Sequence, residues 1–423
     1  MPLQVGFDSD SEIAQMGPGA VGELKGEHLT TQTGGTATGA CLQLLVGENF
    51  LQRTQQPGLQ KSSMRSPRVE GWNFHTEYGP FFSRAQVVAP RRGSVHLKHM
   101  PSITTEQLEH FHEQGYLVVE GLLDPETVID PVIREYEGVL DRLATELHAA
   151  GTIGSTYQDL PFQERLTRVY ADSGKVHAQY FDFSLPQGNV QPETPFWAGP
   201  AVFNTLVNEA LLDAVESIVG PEIYSNPVQH VRLKPPERLT PKNADTGLPQ
   251  LGLTPWHQDN GVVLPEADEG EILTVWFSLT EASERHGCLQ VLPGSHRRGL
   301  LHHCRRPVGL TVVENMLPTQ TPVSLPMQAG DVLFLTQLTC HSSLSNVSDE
   351  VRWSFDLRYQ PIGKPTGRPA FPGFVARSRA NPDSELRDPA GWERLWRDTR
   401  DRMARKQEKG PFNRWHVEDA VCA

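Results

Sequence analysis

Residues 330–361 read GDVLFLTQLTCHSSLSNVSDEVRWSFDLRYQP. A Gly-Asp turn opens the stretch, and three short β-prone runs follow at 330–336, 340–348 and 351–361. Further runs of the same kind stand upstream at 223–235, 254–260, 272–279, 287–293 and 321–327, separated by turns rich in Gly and Pro. Many short strands punctuated in this way predict a barrel or a double-sheet jelly roll. Ahead of them the pattern is helical. In ITTEQLEHFHEQG (103–115) Thr104 and Gln107 make a capping-box pair, and Gly115 stops the helix. A second helix is expected to start at Asp130-Pro131 and close at Gly151, and a third covers about 203–219. Leading helices followed by a strand series give an α+β fold with helices packed on one sheet. A last helix over 391–410 marks one face with Trp392, Leu395, Trp396 and Met403.

With 423 residues the chain can bury a large core, and length alone admits two or three domains. Residues 1–100, rich in Gly, Thr, Gln and Ser, read as a poorly structured extension, although the aromatics of GWNFHTEYGPFF (71–82) could dock on the main body. The strand-bearing domain spans 101–380, and 381–423 forms a helical tail. A net charge of −13 argues against nucleic acid or an anionic membrane as partner. No stretch reaches the roughly 20 apolar residues of a membrane span, and the N-terminus shows no secretory signal. Five cysteines, scattered and without CxxC spacing, disfavour a disulfide scaffold and suit a reducing compartment. A cytoplasmic protein acting on a small molecule is the expectation. Oligomeric state is not legible.

TPWHQDNG (254–261) supplies the chemistry. Residues two apart on a strand share a face, so His257 and Asp259 can converge on one point while Trp256 and Gln258 face away. One imidazole and one carboxylate leave a third ligand to be found, and alone the pair could be no more than a polar strand end. His341, 84 positions on, supplies an imidazole from a strand that a jelly roll can bring alongside. Two histidines and a carboxylate make the facial triad of non-haem Fe(II), with open positions for co-substrate and dioxygen. Eleven residues past His341 stands Arg352, whose guanidinium fork can grip a carboxylate, as 2-oxoglutarate would require.

The opening helix and strand ITTEQLEHFHEQGYLVVEGLL, the segment PWHQD, the run GCLQVLPGSH and the block HSSLSNVSDEVRWSFDLRYQ together resemble the phytanoyl-CoA dioxygenase family of Fe(II)/2-oxoglutarate oxygenases. The resemblance spans about 103–361. It implies a double-stranded β-helix (a jelly-roll or cupin-like barrel) with His257, Asp259 and His341 on iron and Arg352 on the distal carboxylate of 2-oxoglutarate. Ser343 falls at a family position supporting that carboxylate, though it could equally cap a turn, and Thr254 falls where relatives contact the co-substrate. A retained Asp259 favours hydroxylation over halogenation. Gln229 and Arg232 could reach substrate or form a polar edge, and Trp276 could line the pocket or pack in the core. Pro293-Gly294 fit a tight turn at the pocket mouth. His302 and His303 read as surface residues, and HRRGLLHHCRR (296–306) as a solubilising loop more than a phosphate patch. The competing functions are a non-catalytic jelly-roll binding module with a vestigial metal site, and a cupin-like isomerase or hydrolase.

Overall fold

A computed structural model describes residues 103–307, 309–406, 412–416 and 419–422. The readings made for residues 1–100 lie outside them. Helix α1 (Thr105–Gln114) carries the expected reciprocal cap: the Gln107 amide donates to Thr104 Oγ1 at 3.2 Å, and the Thr104 amide donates to Gln107 Oε1 at 2.9 Å. Gly115 ends it at φ +83, and a Cβ there would lie 2.3 Å from His296 Nδ1. Only glycine fits both the left-handed backbone and that close approach.

Strand β1 (Tyr116–Val119) leads into α2 (Asp130–Ala149). The α-helix starts at Asp130 as expected, but Asp130 is not its cap: a π-turn over Pro125–Ile129 runs straight into α2, and Asp124 caps that turn by accepting the Thr127 amide at 2.9 Å. Two Asp-Pro pairs stand six residues apart, and each proline falls in a first turn, Pro125 in the π-turn and Pro131 in α2. Helices α3 (Phe162–Ser173) and α4 (Ala178–Phe181) escaped the sequence reading. The expected helix at 203–219 is two, α5 (Pro200–Leu206) and α6 (Glu209–Val219), split where Asn208 accepts the Leu211 amide as a new cap.

Strands β2 (Glu222–Lys234), β3 (Thr254–His257), β4 (Leu273–Ser278), β5 (Leu289–Val291), β6 (His303–Arg306), β7 (Gly309–Val312), β8 (Val323–Leu325), β9 (Val332–Thr336), β10 (His341–Ser343), β11 (Arg352–Pro361) and β12 (Phe374–Ser378) follow, then α7 (Pro389–Lys406). They form a six-stranded antiparallel sheet ordered β1-β9-β4-β11-β2-β12 and a four-stranded one ordered β3-β10-β5-β8, while β6 and β7 make a separate ribbon. Backbone pairing among the described residues does not close the two sheets into a barrel, so the fold is a jelly roll of two layers.

Strand alternation sorts the side chains. Val275, Phe277, Phe334, Trp353, Phe355, Leu357 and Tyr359 point to the helices and join Tyr136, Phe203, Trp392 and Trp396 in the main core. Trp276, Leu333 and Leu335 point the other way and meet Leu289, Val291 and Leu325 of the small sheet. The C-terminal helix is part of the main core through Trp392 and Trp396, whereas Leu395 is 36% exposed and lies off that face. No helix among the described residues is long and apolar enough to cross a membrane.

Candidate metal centre

His257 ends β3 and His341 opens β10, and the antiparallel register sets them opposite each other. Opposed residues in such a pair project to one face, and the two rings stand 4.2 Å apart between centroids. Each Nδ1 meets a carbonyl, Pro255 O at 2.9 Å and Thr339 O at 3.0 Å. Those contacts fix the tautomer and leave both Nε2 atoms free to ligate. Asp259 is not on the strand, as the sequence suggested, but opens a 3-10 turn over Asp259–Val262. Because Gln258 stays extended, at φ −121 and ψ 138, Asp259 still returns to the face of His257. Its Oδ1 lies 3.9 Å from His257 Nε2 and 4.0 Å from His341 Nε2. The three ligand atoms all fall within 4.8 Å of one another.

Burial pushes the His257 imidazole down to about 3, helped by the neighbouring His341, so it is neutral at ordinary pH and able to ligate. Burial alone would raise the Asp259 carboxyl, but the Arg358 guanidinium and the two imidazoles hold it well below the usual carboxylate range. Arg358 donates to Oδ1 at 2.5 Å and the Thr274 hydroxyl donates to Oδ2. Two imidazoles with their Nε2 atoms turned inward and one ionised carboxylate form the donor set that Fe(II) takes.

A second constellation sits beside the first. Arg352 on β11 is in register with Lys234 on β2, and both are buried. Arg352 donates to Gly287 O at 2.8 Å and lies 5.5 Å over the Trp276 ring, while its Nε meets no protein acceptor. Lys234 donates to Ser343 Oγ at 3.1 Å and to Leu344 O, and Ser343 Oγ also accepts the Thr254 amide at 2.9 Å. Burial, then repulsion from Arg352 and Arg232, lowers the Lys234 ammonium well below its ordinary value. Among the described residues no carboxylate pairs with either cation. Buried cations without counter-charge are costly, and a bound carboxylate would relieve both.

The model of the family "Phytanoyl-CoA dioxygenase (PhyH)" matches residues 111–354, more than half of the chain. The chain belongs to the phytanoyl-CoA dioxygenase family. Membership makes it a non-haem iron, 2-oxoglutarate-dependent oxygenase. It is 26% identical over 266 residues to phytanoyl-CoA dioxygenase domain-containing protein 1 of Danio rerio, covering 60% of this chain and 88% of that one. It is 28% identical over 275 residues to 1-deoxypentalenic acid 11-beta-hydroxylase of Streptomyces arenae, covering 62% and 83%. Among solved structures it is similar to the epimerase SnoN in complex with Fe3+, alpha ketoglutarate and nogalamycin RO. That likeness has a TM-score of 0.40 at 19% identity and covers 62% of this chain and 86% of that chain.

Other site residues fall as follows. Arg232 and Thr254 line the cavity that holds His257 and Asp259, and Gln229, buried, is not among its lining residues. Trp276 lies in the core between the sheets with Arg352 over its ring. Sequence reading missed Lys234, Thr274, His230 and Arg358. One signal was available for two of them: Lys234 and Arg358 alternate with apolar neighbours in strands that otherwise read as core.

Three readings around 293–304 are corrected. The PGSH turn docks on α1, the Gly294 amide donating to Gln114 O at 2.7 Å, and is not at the pocket mouth. His303 is fully buried and accepts the Gln258 amide at 2.9 Å, and His302 is half-buried, 4.5 Å from the Trp415 ring. Cys304 forms a disulfide with Cys422, 118 positions away, so the cysteine argument for a reducing compartment falls. The C-terminal segment thereby lies on the turn carrying Asp259: Trp415 Nε1 donates to Gly261 O at 2.5 Å and Arg414 pairs with Asp268 at 2.6 Å.

Proposed function

We propose that this chain hydroxylates a C–H bond of a small organic molecule, consuming 2-oxoglutarate and dioxygen and releasing succinate and CO2. The observation that carries the reading is the convergence of His257, Asp259 and His341 within 4.8 Å beside two buried cations without a counter-charge. His257 and His341 through Nε2, and Asp259 through its carboxylate, would hold Fe(II). Arg352 and Lys234 would take the distal carboxylate of 2-oxoglutarate, with Ser343 and Thr254 ordering that end. Bound iron with the oxo acid supplies the oxidising power. The protein's part is to fix the carboxylate end, hold both imidazoles by their Nδ1 atoms and exclude water.

Anaerobic titration of the Fe(II)-loaded protein with 2-oxoglutarate tests this by the visible charge-transfer absorbance of the chelate. A substrate screen read by succinate release and a mass gain of one oxygen follows. One observation favours the binding-module reading, since both Asp259 oxygens already accept hydrogen bonds, from Arg358 and Thr274. Iron that binds without 2-oxoglutarate-dependent absorbance would decide for it.

A further inference from the structure

The cavity at His257 and Asp259 has a volume of only about 60 Å³. At roughly 30 Å³ per water it holds about two water molecules, far short of the several hundred Å³ of ordinary small-ligand sites. A second cavity, of about 640 Å³, lies alongside, with an apolar wall that includes Tyr170, Val176, Leu233 and Leu251 and a charged one that includes Lys175 and Lys242. Arg232 lines both cavities. Close to it, His230 lines the metal-side cavity with its Nδ1 held by Asp182 Oδ2 at 2.8 Å, and Asp182 itself lines the larger one. Arg232, with the His230–Asp182 pair, therefore stands where the two cavities meet.

Arg232 is half-buried and, among the described residues, its guanidinium forms no hydrogen bond or ion pair with a protein group. It shares a face of β2 with Lys234 and lies near enough to Lys234 and Arg352 to lower the proton affinity of both. The region thus gathers three cationic side chains without a carboxylate partner. One distal carboxylate of 2-oxoglutarate answers Lys234 and Arg352 and leaves Arg232 over. A guanidinium fork where the two cavities meet, beside the apolar wall of the larger one, fits a carboxylate on an apolar body.

We propose that the substrate is an amphipathic organic acid whose body fills the 640 Å³ chamber and whose carboxylate pairs with Arg232. This rests on the hydroxylase reading and narrows it to a substrate class. The probes are dodecanoate and dodecan-1-ol, which share a chain and differ in charge, titrated by calorimetry into the full-length protein. The wild type is expected to bind the acid at least about ten-fold tighter than the alcohol, the size of one lost charge-assisted contact. Arg232→Gln is expected to erase that preference, Arg232→Lys to keep part of it, and both to leave the 2-oxoglutarate absorbance midpoint and the thermal midpoint unchanged. Equal or absent binding of the two probes to wild type overturns the proposal. So does an Arg232→Gln protein that keeps the acid preference but loses 2-oxoglutarate, because Arg232 then serves the co-substrate. Failure of the parent reading looks different: the wild type gives no charge-transfer band, while calorimetry still reports the acid preference by itself.

Discussion

Strand β11 carries Trp353, Phe355, Leu357 and Tyr359 on the face toward the helices, and Arg352, Ser354, Asp356, Arg358 and Gln360 on the face toward the small sheet. The first set is packed: Trp353 lies 5.1 Å from Tyr136 and 5.0 Å from Phe162, and the Tyr359 hydroxyl donates to Leu206 O at 2.8 Å. On the second, Arg352 Nε, Ser354 Oγ, Asp356 Oδ1 and Arg358 Nε find no protein partner, against Trp353 Nε1 alone on the first. Buried polar groups are nearly always satisfied, so a face that leaves several of them over is shaped for something other than stability. One face holds the fold, and the other holds buried charge, which under the proposed function serves metal and co-substrate.

The sharpest way to break that division is at Asp259. Asp259→Ala is expected to drop succinate formation to background, more than about a hundred-fold, since even outer-shell changes at metal sites cost 10- to 100-fold. It also takes from the Arg358 guanidinium the nearer of its two carboxylates, leaving Asp356 at 3.4 Å, and should cost about 1–3 kcal/mol of stability. Adding Arg358→Met should restore the denaturation midpoint but not the activity, and restored activity would remove Asp259 from the ligand set. On the helix face, Phe355→Ala should cost about 3–5 kcal/mol in denaturant titration. The surviving folded fraction should keep its affinity for 2-oxoglutarate, because Phe355 points away from the site. Arg352→Ala is expected to raise the KM for 2-oxoglutarate by about thirty-fold or more, as for one partner lost from a buried charge pair, while equilibrium dialysis finds iron binding retained. Lys234→Met should raise that KM by about ten-fold and leave the thermal midpoint level or higher, because it removes a buried ammonium without counter-charge. A fall in midpoint with unchanged KM would make Lys234 a structural residue.

How far the sequence reached varied with how local the cause was. The α1 cap was readable because Thr104 and Gln107 satisfy each other within one turn. The α2 start at Asp130-Pro131 was readable too, while the π-turn ahead of it, capped by Asp124, repeats the same Asp-Pro signal six residues upstream and was passed over. His303 reads as polar in isolation, yet it is buried because the Gln258 amide needs an acceptor 45 residues away. The Cys304–Cys422 pair has no spacing signature at all, since 118 intervening residues must fold before the sulfurs meet.

The amino-acid sequence by itself determined the chemistry on offer: an imidazole and a carboxylate two apart, a second imidazole on a distant strand, an arginine eleven further on, and helices leading into antiparallel strands. These are properties of residue type and short-range periodicity, which one-dimensional order carries. Only the tertiary structure decided that His257 faces His341 across one register, that Lys234 joins Arg352, and that Arg358 holds Asp259. It alone placed Arg232 where a metal cavity meets a chamber ten times larger. Those outcomes depend on which strands become neighbours, and pairing between strands is set by the burial of the whole core and not by the residues that happen to meet.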